Sequence, residues 1–442
     1  MKISWVTFLI TLFIAIIYTN ISGDTSSIAY YICYMMTGIV MFVTLVSELH
    51  LSRQWFIPIW IVLLIQAAGF AYLMYITRGG QDLSVSSKIP MLSVNPDNYQ
   101  GIAQFLFHNV GDSNGLTYSY WLSVIYRLTG LQMGTGIMLS ILFSWSAIAV
   151  FVKTIRYYDS ALINKLPFNV SLFYLLFYPQ MISESLQVHR EAFIIFCLSL
   201  SLYFFVRWWR ERKTNLVILS IFACLPAAYM HAGSIFLAVG ISVIYICYLN
   251  NPEKVVINVK SFFALLFVIC LSIFIFNNMD LKKFENRNVE TIALNNSGRM
   301  GDGGSAYQAG IPISNPVVAA LINTPIKSFY FIGAPLPTYW RNPVDILTFL
   351  LSSLFYLIPI FAGLYQKIIT RKLKQNFLFV VMAVILIFTI PFAWGVSNSG
   401  TAVRHRTKVV IWLAFAIVLL IRELQLKRQE KVLNCLAQNS KK

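Results

Sequence analysis

Charge is scarce in this chain. Only 12% of its 442 residues are Asp, Glu, Lys or Arg, where a soluble domain carries about 25%. Acid is scarcer than base: 17 carboxylates stand against 34 Lys and Arg, a formal net charge of +17. Cysteine is scarce as well. Five of its six cysteines fall in apolar runs, the sixth is Cys435 near the C-terminus, and no CxxC pair occurs. That pattern excludes a disulfide framework and a cysteine metal ribbon. Charge is also missing from the middle of every long apolar run. Ion-coupled carriers usually keep ionisable groups there, which weakens that class, although backbone carbonyls can also bind sodium.

Apolar sequence is abundant: 58% of residues are hydrophobic and 15% aromatic, with a mean hydropathy of +0.69. This composition predicts an all-α, polytopic transmembrane helix bundle. The pattern supports about twelve spans, at 3–20, 27–47, 54–77, 130–152, 166–182, 188–209, 215–230, 232–249, 260–277, 344–365, 376–393 and 407–422. The fifth and seventh are short, and the seventh and eighth form a tight hairpin. Met1-Lys2 and the apolar run to Tyr18 mimic a secretion signal. Without a small-x-small cleavage site, an uncleaved first helix is expected.

Basic residues orient the bundle. With the N-terminus inside, 21 of the 34 Lys and Arg fall in inner connections, and the assignment alternates without a violation. Both termini are then cytoplasmic, with anionic headgroups as the counter-charge rather than nucleic acid. Residues 1–422 read as one helical domain and 423–442 as a basic cytoplasmic tail. Two long outer loops, 78–130 and 278–343, contain amphipathic pieces at Tyr118 to Leu128 and Val317 to Ile332. Such pieces lie along the interface or re-enter the protein.

Polar residues concentrate on the outer side. Ser183 to Glu191 packs two carboxylates, an imidazole and a guanidinium between apolar runs. A helix from Glu184 to Trp209 would be about 39 Å long against an apolar core of about 30 Å, so its first turns would project beyond the hydrocarbon. Glu184, Gln187 and Glu191 would share one face. Arg190 near a helix N-terminus suits an anion. The plainer alternative is a polar turn that meets headgroups.

Asn398 to Lys408 is denser still, with Arg404, His405 and Arg406 in succession. Arginine forks beside a helix N-terminus suit phosphate or diphosphate. The alternative is a basic anchor for headgroups. His231 ends the seventh span, where a capping role competes with a site role. Asp97 lies in an ordinary turn composition. Tyr99, Gln187, Arg299 and Arg341 complete the outer candidates. No metal cage is evident, and no cofactor is expected.

The order of these motifs resembles Wzy-type polysaccharide polymerases, in particular the EpsG-like membrane family. Asp97 to Tyr99, Val188 to Glu191, Met230 to Gly233 and Thr401 to Lys408 carry the resemblance. Where that family has Arg-Gln, this chain has Arg190-Glu191. The resemblance implies a membrane glycosyltransferase of the broad C-type class (GT-C-like) in the bacterial inner membrane. It would polymerise undecaprenyl-diphosphate-linked repeat units of O-antigen, capsule or exopolysaccharide at the outer face. Its partners would be lipid-linked oligosaccharide, a flippase and a chain-length regulator. Arg190, Arg404 and Arg406 would then contact the diphosphate, and Asp97, Glu191, His231 and His405 would be the catalytic candidates. A single-sugar transferase or ligase using a polyprenyl donor, a flippase or exporter of lipid-linked glycan, and an envelope scaffold are the competing classes.

Overall fold

The computed structural model describes residues 51–78, 118, 121, 133–187, 189–248, 307, 309–311, 313, 316–368, 376–396 and 398–439. The described residues are helical, with no strand. After a single turn at Arg53–Trp55 come α1 (Phe56–Arg78), α2 (Met133–Tyr158), α3 (Leu166–Phe177) and α4 (Pro179–Ser185). Next follow α5 (Glu191–Glu211), α6 (Thr214–Met230), α7 (Ile235–Tyr248) and α8 (Pro316–Gly333). Then α9 (Pro343–Thr348) runs through a π turn at Phe349–Ser353 into α10 (Leu354–Ile368), before α11 (Asn376–Gly395), α12 (Ser399–Thr407) and α13 (Val410–Asn439).

Among the described residues, four stretches are long and apolar enough to cross a membrane: Leu139–Tyr158, Glu191–Glu211, Pro343–Gly363 and Phe377–Gly395. A fifth arises if α12 and α13, bent by 71°, count as one broken span. This is the signature of a membrane protein. The expected span at 166–182 breaks where Tyr178 turns extended between α3 and α4. Pro179 opens α4 and disfavours helical geometry in the residue before it. At 12 residues, α3 reaches only about 18 Å. The expected spans 3–20, 27–47 and 260–277 lie outside the described residues.

The first half of α13 is the axis of the bundle. Val410, Trp412, Leu413, Ala414, Phe415 and Ala416 are fully buried, and a helix apolar all round is one that other helices enclose. It packs against α2, α3, α5, α10 and α11. Between α5 and α6 the glue is small and polar. Ser201 and Ser220 hydroxyls lie 3.0 Å apart, and Cys224 Sγ donates to Ser201 Oγ at 3.2 Å. Small hydroxyl residues let helix backbones approach closely where no hydrophobic gradient drives them together.

The two ends of α5 differ in chemistry. Twenty residues separate Glu191 from Glu211, which puts the polar groups at the two ends about 30 Å apart. At the Glu211 end, Arg207 and Lys213 pair with Glu211 at 2.8 and 2.9 Å. Arg422 pairs with Asp159 at 2.7 Å, and Arg210 donates to the Tyr158 carbonyl. Trp209 stacks on Phe377 there and lies beneath Arg212. Basic residues over an aromatic layer are what a bundle presents at a headgroup surface.

Candidate functional site

The other end of α5 opens the candidate site. A continuous helix from Glu184 is expected from the sequence; the structure corrects it. α4 stops at Ser185, the Leu186 N–H folds back onto the Ile182 and Ser183 carbonyls, and α5 starts at Glu191 with Arg190 as its N-cap. Glu184 and Glu191 still meet, across a turn rather than along one face. Gly69 on α1 makes room for that turn, since a β-carbon there would stand 2.5 Å from the Leu186 side chain. Gln187 turns outward, exposed, and donates to Ser183 Oγ.

Within the turn nearly every polar group has a partner. Glu184 accepts from Gln180 at 2.8 Å and lies 3.2 Å from His189 Nδ1. Arg190 donates to the Met230 carbonyl at 2.7 Å. Met230 ends α6, where helix carbonyls lose their in-helix donors, so Arg190 closes that terminus. Its Nε also stands 4.0 Å from Glu191.

The second half comes from the break between α12 and α13. Asn398 caps α12 by accepting from the Gly400 and Thr401 N–H groups. Two turns on, Arg404 donates from Nε to Oε1 of Glu191 (2.9 Å), 213 residues away in sequence, and its Nη2 stands 2.8 Å from the same oxygen. The same Nε is 4.0 Å from Glu184. Glu191 is buried at 1% exposure, whereas the Arg404 side chain is 38% exposed. Glu191 Oε2 accepts no hydrogen bond among the described residues.

Behind the ion pair lies an imidazole pair. Lys408, fully buried, donates to His405 Nδ1 at 2.6 Å, which leaves the ring proton of a neutral His405 on Nε2. The His405 and His231 rings are 5.1 Å apart, and Phe392 packs against both. Gly233 allows this, because a β-carbon there would stand 2.6 Å from Phe392. Burial, reinforced by the positive charge of Lys408 and Arg190, pushes the His231 imidazole well below its ordinary value.

Arg406 is not among the gathered groups. The next residue but one from Arg404, it points the opposite way and is fully buried. Its guanidinium donates to the Phe331, Ile332 and Ala334 carbonyls, which closes the C-terminus of α8. Ser352 and Ser353 hydroxyls accept from it at 3.3 Å. The expected diphosphate contact for Arg406 is therefore replaced by a clamp between α12, α8 and the π turn. Arg341 is exposed, and its backbone N–H donates to Asp345. Asp97, Tyr99 and Arg299 lie outside the described residues.

His189 and Lys408 join the site without having been ranked among its sequence candidates, and Glu184, an alternative base on the sequence, lies there with them. The signal for Glu184 and His189 was their place in the Ser183–Glu191 cluster; for Lys408 it was the Arg-His-Arg-Thr-Lys run. Glu184, His189 and Glu191 each bring a ligand atom within 4.8 Å of the others, a donor set that could hold a divalent cation. Arg404 already supplies positive charge there, bonded to Glu191 and near Glu184. The whole arrangement is two carboxylates inside a ring of Arg190, Arg404 and Lys408, with two imidazoles behind. It can bind an anion at Arg404, whose partner Glu191 is held as a carboxylate. Comparison with protein-family models, curated proteins and solved structures gives no match.

Proposed function

We propose that this chain is a membrane glycosyltransferase that polymerises lipid-diphosphate-linked oligosaccharide repeat units, as Wzy-type and EpsG-like polymerases do. The chain would sit in a bacterial cytoplasmic membrane as a C-type bundle of about twelve spans. The site would lie at the outer face and both termini in the cytoplasm. The observation that carries the reading is the Arg404–Glu191 pair, partly exposed on the arginine side and buried on the carboxylate side. It rests also on the motif order described above.

The chemistry follows from what such a reaction must stabilise. The acceptor sugar's hydroxyl oxygen attacks the anomeric carbon of the donor. The bond from that carbon to the diphosphate oxygen breaks, and the leaving diphosphate takes the electron pair. Cations belong where that charge develops. Arg404 is the exposed one and can fork two phosphate oxygens, with Lys408 and Arg190 behind it. A diphosphate on Arg404 competes with Glu191 for the same donors. Glu191 released in this way is the base that takes the acceptor proton, a role worth roughly 10²–10⁴ in rate. His231 and His405 line the rear and orient the groups in front. Tyr118 and Trp121 stack together, and Trp121 packs on Phe193 near the start of α5; these two aromatics are where the glycan would be met.

A second reading has one observation in its favour. A span bent by 71° with Lys408 buried at the break is a feature that transporters also use, which keeps export of lipid-linked glycan as the alternative. Gene deletion separates the two. Loss of a polymerase leaves single repeat units on lipid at the outer face and no polymer, and Arg404→Ala or Glu191→Gln, each at normal membrane level, reproduces that state. Repeat units trapped at the inner face instead identify an exporter.

A further inference from the structure

The described residues contain several buried cations, and all but one have a polar acceptor. Arg190 donates to the Met230 carbonyl, Arg406 to three carbonyls and Lys408 to His405. Lys327 is the exception. It is 6% exposed, and its ammonium faces only an indole, 4.3 Å over the ring of Trp394. Trp394 is itself fixed, since its Nε1–H donates to Thr324 Oγ1 at 3.0 Å. A cation–π contact offsets part of the desolvation of a buried ammonium, and no carboxylate or carbonyl among the described residues supplies the rest.

The position of Lys327 is informative. It lies on α8, one turn before Phe331, and Trp394 lies on α11, two residues after Phe392. Phe331 stacks on Phe392, and Phe392 packs on His405 and beneath Lys408. Lys327 therefore stands beside the candidate site along the same α8–α11 seam, with a ring pair between them. The chain segment next to it is also pinned. Asn323, one turn earlier, bonds both the N–H and the carbonyl of Ile311, and Gly310 takes a left-handed φ of 118° against it. Tyr307 reaches across to the Val396 carbonyl. The second long outer segment is thus ordered at Lys327 by contacts that do not use its charge.

We propose that Lys327 and Trp394 form an acidic-sugar subsite, in which the ammonium takes the carboxylate of a uronic-acid unit in the glycan and the indole packs on the sugar ring. The inference rests on the glycan-transfer reading for the source of the ligand. A single ammonium beside an indole suits one carboxylate on a pyranose. A diphosphate is better matched by the forked Arg404 and its neighbours across the Phe331–Phe392 pair.

The test is binding to the purified full chain, so it does not depend on turnover. The probes are a glucuronate-containing tetrasaccharide, its carboxyl-reduced counterpart and inorganic pyrophosphate, read by tryptophan fluorescence. The wild type is expected to bind the acidic tetrasaccharide at least 10-fold more tightly than the reduced one. K327M is expected to abolish that preference and leave pyrophosphate affinity within 2-fold, whereas K327R retains part of it. R404A is expected to lose pyrophosphate binding and keep the acid preference. K327M removes a largely buried ammonium that has no acceptor among the described residues, so it should fold and melt no lower than the wild type. The proposal is overturned if the wild type shows no acid preference, if K327M keeps it, or if K327M weakens pyrophosphate equally. Failure of the polymerase reading shows separately, as polymer that persists in the gene deletion.

Discussion

Single side chains divide the buried and half-buried cations into two kinds. Arg404 faces outward and holds a carboxylate; Arg406, two residues on, is consumed by backbone carbonyls. Arg404→Ala should therefore fold and reach the membrane while polymer formation falls by about 10²-fold or more. Arg406→Ala should leave several buried acceptors without a donor. It should lower stability by about 3–5 kcal/mol, seen as loss of membrane-inserted protein. His231 gives a pH test. Its folded value lies well below the ordinary 6.5, so the unfolded chain binds a proton that the folded chain refuses. The stability this contributes is full above pH 6.5 and is lost as pH falls toward the folded value, with a slope of up to about 1.4 kcal/mol per pH unit. Thermal unfolding of detergent-solubilised protein between about pH 7.5 and 5.5 should show that loss, and His231→Gln should flatten it. The sequence made Arg190, Glu191, Arg404, His231 and His405 legible as one group, because outer segments of a bundle converge. It could not separate Arg404 from Arg406, since their directions are set by the bend after α12. Nor did it mark Lys327, a lone lysine in an amphipathic piece.

Helices were legible where apolar runs are long, and blurred where they break. The amphipathic piece at Val317 to Ile332 is α8, Pro316–Gly333, and the expected seventh and eighth spans fall on α6 and α7, apolar helices of 17 and 14 residues that form a hairpin around His231. Besides the break at Tyr178, two breaks escaped the sequence pattern, and both of these build the site. The turn between α4 and α5 brings Glu184 to Glu191, and the 71° bend between α12 and α13 buries Lys408 against His405. Hydropathy averages across such breaks; only the cap geometry at Leu186 and Lys408 reveals them. The hairpin depends on a close approach at Gly233. Gly233→Ala should push Phe392 off His231 and His405, lowering stability by about 1–3 kcal/mol. Polymer yield per membrane-inserted molecule should drop as well, whereas an alanine at Gly395, where nothing lies within 4 Å, should keep that yield.

At the scale of the molecule, α5 spans the interval between two unlike ends. One end is a basic, aromatic surface around Glu211; the other holds the Arg404–Glu191 pair. In the proposed orientation the first of these faces the cytoplasm, in keeping with an inside-positive bias. Cys435, exposed on α13 beyond that end, should stay unlabelled by a membrane-impermeant thiol reagent in intact spheroplasts and react after permeabilisation, with Cys435→Ser as the control. The three-donor set at Glu184, His189 and Glu191 adds a further check. Because guanidinium charge already serves the site, a chelator should leave polymerisation unchanged, and restored activity on adding magnesium or manganese would assign that set to a metal. The most direct measurement of the central claim is the lipid-linked pool of a deletion strain complemented with Glu191→Gln or Arg404→Ala. Single repeat units on lipid at the outer face, with no polymer and normal protein level, are the predicted result. Polymer of normal amount and length in either variant would contradict it.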